Sequence, residues 1–568
     1  MRFLISFLFL FISSSSFAQQ KSLPEDVIAS IKQRIDEGRN PSIMVGIIDA
    51  DGTRYYSFGQ TKEGGQAVNE HTIYEIGSIT KVFTATLLAD MIIKGEMSAD
   101  DPIEKYLPAS VHIPTYEDQH ITLGNLSDHT SSLPRMPDNF APADPMNPYA
   151  DYSEAKLYEF LSGYDLQRTI GSEYEYSNLA VGLLGHLLAL HAGKSYEKLM
   201  IKTIAKPLGM KETKIKLNNK MTKNLAIGHN MGIPVSNWDL GSLEGAGGIR
   251  SSVSDMLKLL AAEMRLRQTP LYEAMNLTQQ ARHDKTSGNS VGLGWHIAPG
   301  EHEIIWHNGA TGGYSTYTGF IKETGTGVVV FTNSNEGVDD IGFHLLDPQS
   351  ELRDLGPSII TYYKSILDKE GTENLVEKYY TYIEKNPEQK AAAEGEINSL
   401  GYFYLNQNKI EEALALFEVN VMVYPASSNV YDSYGEALMK NGENEKAIEN
   451  YKKSVELNPG NANGIAMLAS MGVQMEIKEV TVPETILESY TGTYELAPGF
   501  EIVITKKENQ LWAQATGQAD YEIFPKSNSE FYYKVVDAQI DFNKNDEGIV
   551  DNLILHQGGR DLPGKKTK

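Results

Sequence analysis

Ser78 and Lys81 stand three residues apart in Gly77-Ser78-Ile79-Thr80-Lys81, a spacing that puts both side chains on one face of a helix. A serine hydroxyl is a poor nucleophile until a base sits beside it. A lysine becomes that base only when its pKa falls from about 10.4 towards neutrality, which burial and nearby positive charge bring about. Two further short signals follow in order, Tyr176-Ser177-Asn178 and then His307-Asn308-Gly309. Each alone says little: Ser-x-x-Lys recurs at Ser153/Lys156 and Ser195/Lys198, and Tyr-x-Asn at Tyr404/Asn406. For an isolated pair the competing reading is a helix N-cap serine with a surface lysine. The order, spacing and flanks of the first set raise it above its decoys and point to a serine hydrolase that acylates itself through a Ser-Lys pair.

The elements that must position these residues belong to a chain too long for one core, at 568 residues. Its 41% hydrophobic and 22% charged residues are ordinary globular composition. The net charge of −25 argues against nucleic acid or an anionic membrane surface as partner. There is no cysteine, which excludes disulfides, thiolate catalysis, cysteine metal sites and a lipid-modified N-terminal cysteine. Residues 1–18 read as a cleavable signal peptide: Arg2, an apolar run Phe3–Ile12, then Ser16-Phe17-Ala18 as a cleavage site. The run is shorter than the ~20 residues of a spanning helix, and no later segment reads as a span. The expected location is periplasmic or secreted.

Residues 21–350 form one long mixed region. Pro41–Asp49 and Arg54–Phe58 read as a hairpin about Asp51-Gly52. Helices are expected over Ser78–Gly95, Leu179–Leu190 and Ser252–Leu266, the last capped by Ser252. Strands at Glu303–Trp306 and Gly327–Thr332 frame His307. Helices between strand pairs suggest an α/β sandwich around an antiparallel sheet. Prolines 134, 137, 142, 145 and 148 mark a long loop, a rim or a solvated excursion.

Residues 357–395 read as a helical linker or degenerate repeat. From 396 to 474 a 34-residue period appears: Ile397, Gly401, Ala413, Phe417 and Pro425 recur as Tyr431, Gly435, Ala447, Tyr451 and Pro459. This resembles the tetratricopeptide repeat. Residues 483–568 change period again, with short strand-like runs at Tyr490–Leu496, Glu501–Thr505, Leu511–Thr516, Tyr521–Phe524, Phe531–Val536 and Leu553–Leu555. Such spacing predicts a small antiparallel barrel. It resembles the lipocalin-like C-terminal module of some penicillin-recognising hydrolases.

The flanks of Ser78, Tyr74-Glu75-Ile76-Gly77-Ser78-Ile79-Thr80-Lys81-Val82-Phe83-Thr84, resemble the nucleophile segment of class C β-lactamases and D-Ala-D-Ala carboxypeptidase-type, penicillin-binding-protein-like serine hydrolases. The resemblance continues through Gly95–Pro102, Tyr106-Leu107-Pro108 and His129-Thr130-Ser131-Ser132-Leu133-Pro134, where Ser132 replaces the usual glycine. It takes in Tyr176-Ser177-Asn178 and Gly247-Gly248-Ile249, and spans about residues 24–340. It implies Ser78 as acyl acceptor and Lys81 as its base. Tyr176 would relay a proton to the leaving group, Asn178 would bind the substrate's acyl-side amide, and His307 would sit beside Tyr176. Asn308, Gly309 and Ala310 would line the substrate strand, and the N–H groups of Ser78 and Ala310 would form the oxyanion hole. No cofactor or metal is implied. His302-Glu303-Ile304-Ile305-Trp306 is an incomplete zinc motif, and Asp541, Asn543 and Asn545 lack the glycine and closing glutamate of a calcium loop.

The departures bear on substrate. Class C β-lactamases usually carry Lys-Thr-Gly where this chain has His307-Asn308-Gly309, and carboxypeptidases of the family often have His-Thr-Gly followed by Thr. Those threonines, whose hydroxyls help hold the carboxylate of a penicillin or a terminal D-Ala, are Asn308 and Ala310 here. The expectation is therefore an exported hydrolase of esters or amides with a small acyl or D-amino acid peptide substrate. The alternatives are a β-lactamase or D-Ala-D-Ala carboxypeptidase, and a catalytically weak scaffold that binds a protein or peptide partner through the repeats.

Overall fold

The computed structural model describes residues 22–568 except 286–287, 476–479, 498–499, 517, 519, 537, 546 and 558–559. The signal-peptide segment expected at residues 1–18 lies outside the described residues. The described chain divides into two units, one running to Asn230 together with Pro234–Asp354, the other Met231–Ile233 with Leu355–Lys568.

An eight-stranded antiparallel sheet organises the first unit. Its strands are β1 (Ser42–Asp49), β2 (Gly52–Gly59), β3 (His283–Asp284), β4 (Ser290–Val291), β5 (His296–Ala298), β6 (Ile304–Ala310), β7 (Ser315–Ile321) and β8 (Thr326–Thr332), in the spatial order β2-β1-β8-β7-β6-β5-β4-β3. The expected hairpin is β1–β2, with Asp49 opposite Gly52. Strand alternation assigns the two faces. Met44, Ile305, Phe320, Val329 and Phe331 enter the larger core, while Ile43, Val45, Ile304, Tyr317, Val328 and Val330 enter a smaller one. The smaller core is closed by α1 (Glu25–Asp36), whose Val27 and Ile31 are fully buried, and by Ile341 and Leu346 of a helix at Asp339–Leu346. Burying each such side chain contributes roughly 1.5–3 kcal/mol.

On the larger-core side lie α2 (Thr80–Ile93), α3 (Asn178–His191) and α4 (Val253–Glu263). Ser252 caps α4 by accepting from the Asp255 amide, as its sequence suggests. Every residue of α2 from Thr80 to Met91 is buried, so this helix has no solvent face, and the polar side chains it carries must be satisfied internally. Thr84 does so by donating to the Gly245 carbonyl at 2.7 Å. Glu303–Trp306 and Gly327–Thr332 are not the only strands near His307. His307 lies inside β6, and β7, which the sequence reading passes over, separates β6 from β8.

In the second unit, helices at Ile359–Lys369 and Leu375–Lys385 precede a longer set at Lys390–Asn406, Ile410–Val423, Ser428–Lys440 and Asn444–Leu457, ended by Ala462–Ser470. The 34-residue period has a packing cause. A Cβ on Gly401 would stand 2.7 Å from the Phe417 ring, and one on Gly435 would stand 3.2 Å from the Tyr451 ring. Each glycine lets its helix approach the aromatic of the next.

The C-terminal segment is a closed eight-stranded antiparallel barrel: Gly492–Ala497, Phe500–Lys507, Gln510–Ala515, Asp520–Pro525, Glu530–Tyr533, Ala538–Lys544, Val550–Gln557 and Arg560–Lys566. Two of these, Ala538–Lys544 and Arg560–Lys566, are strands the sequence pattern does not mark. Tyr490 belongs not to the first strand but to a short helix, Glu484–Tyr490. Closure removes the exposed edges that an open sheet of this size would carry.

Candidate active site

Ser78 sits in a single 3-10 turn, Gly77–Ile79, that runs straight into α2. Gly77 makes this turn possible: its φ is +48°, and a Cβ there would lie 2.7 Å from the Ala310 nitrogen. Gly309 is equally constrained, since a Cβ would meet the Ile76 carbonyl oxygen at 2.0 Å. The two glycines let the nucleophile turn press against the end of β6, bringing the backbones of Ser78 and Ala310 together. Thr316 on β7 donates to the Ile76 carbonyl at 3.0 Å and holds this junction from the far side.

The Lys81 side chain is wholly inaccessible to solvent. Its Nζ lies 2.9 Å from Ser78 Oγ, 2.9 Å from Asn178 Oδ1 and 2.8 Å from the Ala246 carbonyl oxygen. Burial, and secondarily the Arg135 charge, hold its pKa well below the usual lysine value. In the amine form its two N–H bonds serve Asn178 and Ala246, and the lone pair remains for the Ser78 proton. The decoy pairs are built otherwise. Ser153 and Ser195 each cap a helix by accepting from the backbone amide of Lys156 and Lys198.

Ser177 fixes the second triplet. Its hydroxyl accepts from the Ala180 amide at 2.9 Å, capping α3, and donates to the Pro134 carbonyl at 2.7 Å. Tyr176 and Asn178 thereby flank the cap. Burial raises the Tyr176 phenol to about 12, with Ser78 and Arg135 opposing the shift. The phenol is therefore neutral and able to donate a proton. Lys81 Nζ stands 4.8 Å from the ring centroid, the Arg135 guanidinium 5.2 Å, and His129 stacks on the ring at 4.5 Å.

His307 projects from β6 into this cluster, fully buried, with its ring centroid 6.4 Å from that of Tyr176. Its Nδ1 donates to the Asn308 carbonyl at 2.6 Å, which leaves the lone pair on Nε2, an atom with no protein partner among the described residues. Burial, and secondarily Lys81 whenever it is protonated, push its pKa down to about 3, so it is neutral. Strand alternation sends Asn308 to the opposite face, where its amide donates to Asp339 at 3.3 Å.

Of four further neighbours, His129 lies in the His129–Pro134 stretch, and the other three carry no local sequence signal. His129, at φ +64°, accepts the Ser177 amide on Nδ1 at 3.0 Å, so its proton sits on Nε2, the opposite tautomer to His307. His296 on β5 stacks on His307 at 4.7 Å, and Lys285 lies 3.3 Å from His296 Nδ1. Arg135 faces Tyr176 from the proline-rich loop. The loop is thus part of the site's rim: Met136 contacts the Asn178 amide through sulfur at 3.9 Å.

Comparison with known proteins agrees with this architecture. The family described as Beta-lactamase matches residues 27–345, a tetratricopeptide repeat matches 428–461, and a domain of unknown function (DUF3471) matches 476–566. The D-alanyl-D-alanine-carboxypeptidase/endopeptidase AmpH of Escherichia coli (strain K12) is 30% identical over 359 residues, covering 58% of this chain and 92% of its own. A beta-lactamase of Pseudomonas fluorescens is 27% identical over 329 residues, covering 52% and 88%. The crystal structure of a Beta-Lactamase/D-Alanine Carboxypeptidase from Pseudomonas syringae, 21% identical, shares the fold with a TM-score of 0.51 over 57% of this chain and 98% of that one. The chain belongs to the β-lactamase family, and is a serine hydrolase of the β-lactamase/D-Ala carboxypeptidase type.

Proposed function

We propose that this chain is an exported hydrolase that forms an acyl-enzyme on Ser78 and cleaves an ester or amide of a small acyl or D-amino acid peptide substrate. The observation that carries the reading is the desolvated Lys81 amine, 2.9 Å from Ser78 Oγ and, among the described residues, without a carboxylate partner. As Ser78 Oγ attacks the carbonyl, its proton passes to Lys81 Nζ. The developing oxyanion lies against the N–H groups of Ser78 and Ala310; one such donor is worth roughly 3–4 kcal/mol. Tyr176, kept protonated, gives its proton to the leaving group and regains one from the Lys81 ammonium. Water then enters by the reverse path and releases the acid. His307 offers the Nε2 lone pair that orients the phenol or that water, and Asn178 holds the acyl-side amide.

The hydrolase domain of residues 21–350 carries this chemistry. Residues 357–395, the repeats of 396–474 and the barrel of 483–568 are accessory, the repeats offering a surface for a protein partner. Residues 1–18 direct export to the periplasm or beyond.

The names of the relatives support a second reading, action on β-lactams or on D-Ala-D-Ala termini. Against it, Asn308 and Ala310 bring no hydroxyl, and the Asn308 amide is already engaged by Asp339. Treatment with a fluorophosphonate tests the principal reading. A single adduct mapped to Ser78 and lost in Ser78→Ala is expected, and a folded protein without an adduct overturns it. Rapid, Ser78-dependent acylation by benzylpenicillin would favour the second.

A further inference from the structure

We propose that Arg135 recognises a carboxylate on the acyl side of the substrate, making this enzyme selective for acidic acyl groups. The inference rests on the hydrolase reading above and names its substrate class.

Arg135 is exposed, and among the described residues its guanidinium makes neither an ion pair nor a hydrogen bond; its one close contact is the Tyr176 ring at 5.2 Å. Among the described residues Arg265 is likewise without an ion pair, over the Tyr272 ring at 4.4 Å, but it belongs to no cluster around Ser78. Arg54 and Arg250 of the same unit are paired with Asp49 and Glu75. A guanidinium at the rim of a reaction centre, with its fork of donors unused, is the geometry that takes a carboxylate in two parallel hydrogen bonds.

Its position is fixed by the backbone. The Arg135 carbonyl accepts from the amides of Asn178 and Leu179 at 3.0 and 3.3 Å, tying the residue to the first turn of α3. Arg135 is thereby tied to the turn that presents Asn178, the side chain that holds the acyl-side amide. On β6, His307 is the side chain that enters the cluster, and Asn308 faces the other way, bound to the carboxylate of Asp339. No carboxylate hydrogen-bonds Ser78, Lys81, Tyr176 or Asn178 among the described residues. Behind burial, the Arg135 charge also disfavours the protonated forms of Lys81 and His129.

The test uses the full chain and two thioesters with one leaving thiol, N-succinylglycyl and N-succinamoylglycyl, which differ only as carboxylate against carboxamide. The readout is the ratio of their kcat/KM values within each enzyme, which cancels any effect on chemistry common to both. Wild type is expected to favour the carboxylate by about tenfold or more. In Arg135→Gln the ratio falls to about one, in Arg135→Glu it inverts, and Arg135→Lys restores part of it. A wild-type ratio near one, or a ratio that Arg135→Gln leaves unchanged, overturns the proposal. Calorimetric binding of N-succinylglycine and N-succinamoylglycine to Ser78→Ala gives a reading independent of turnover. If neither thioester is cleaved and Ser78 is never acylated, the hydrolase reading fails by itself. Preference for the dianion that disappears in Ser78→Ala/Arg135→Gln still sustains the Arg135 proposal, and equal binding of the two acids overturns it.

Discussion

Lys81 and Asn178 meet at 2.9 Å at the root of the site, and the neutral amide, not a carboxylate, sets the proton state of the lysine. An amide oxygen accepts one N–H without favouring the ammonium strongly, so desolvation prevails and the amine is kept free. Asn178→Asp replaces that amide with a charge at the same distance. An opposite charge this close raises a lysine pKa by about 1–3 units. The acid limb of kcat/KM for a neutral ester should move to higher pH by at least about one unit, and activity at neutral pH should fall at least about tenfold. Asn178→Ala should lower activity without that shift. A pH–rate profile of the three enzymes decides it, and an unshifted limb in Asn178→Asp would remove Lys81 from the role of base.

Arg135 makes the converse contribution, since a cation near Lys81 disfavours its ammonium. Taking the cation away in Arg135→Gln should raise the Lys81 pKa and carry the acid limb upward. The residue is exposed, so the shift should be smaller than that of Asn178→Asp. It should also shrink in 1 M salt, where the Debye length is about 3 Å. Profiles at low and high ionic strength measure this; a shift that salt does not touch would mean a structural rearrangement instead.

Much of this was readable from residue order. The Ser78–Lys81 pair, the β1–β2 hairpin, the three helices around the site and the 34-residue repeat all rest on local spacing. What was not readable arises from contacts between distant segments. Arg135 and Tyr176 are 41 positions apart in the chain, and His296 comes to His307 only through the pairing of β5 with β6. β7 is buried at every position, so it lacks the alternation that marks a strand with one wet face. In the barrel, Pro563 and Gly564 disguise the last strand. The substitution of Ser132 for the usual glycine has a structural side as well. Its φ is +61°, a conformation that favours glycine, and its hydroxyl donates to the Arg168 carbonyl at 2.9 Å.

Gly309 tests whether the contact between β6 and the nucleophile turn is required for rate. A methyl group there would stand 2.0 Å from the Ile76 oxygen and 2.9 Å from its carbonyl carbon, and backbone cannot swing aside as a side chain can. Gly309→Ala must push β6 away from Ser78 and spoil the shared placement of the two amides. Losing one oxyanion donor costs about 10²–10³ in kcat. A fall of that order is expected, with overpacking destabilising the fold by about 1–3 kcal/mol. Fluorophosphonate labelling rates and urea unfolding separate the two effects. Near-normal labelling in a folded variant would show that Ala310 does not serve the oxyanion.

Glu263, near the C-terminal end of α4, offers a stability test away from the chemistry. Its side chain is fully buried, Oε2 accepts from Gln279 at 2.6 Å, and Oε1 has no protein partner among the described residues. Burial lifts its pKa from 4.5 to about 8. Between those values the folded protein binds a proton that the unfolded chain does not. The contribution of this residue to stability therefore falls as pH rises from about 4.5 to 8. Glu263→Gln keeps the shape and an acceptor for Gln279 but cannot ionise. Its stability relative to wild type should grow by about 2–4 kcal/mol between pH 5 and pH 8.5. Urea unfolding at both pH values measures the gap. A gap that does not change with pH would mean that Glu263 keeps an ordinary carboxylate pKa despite its burial.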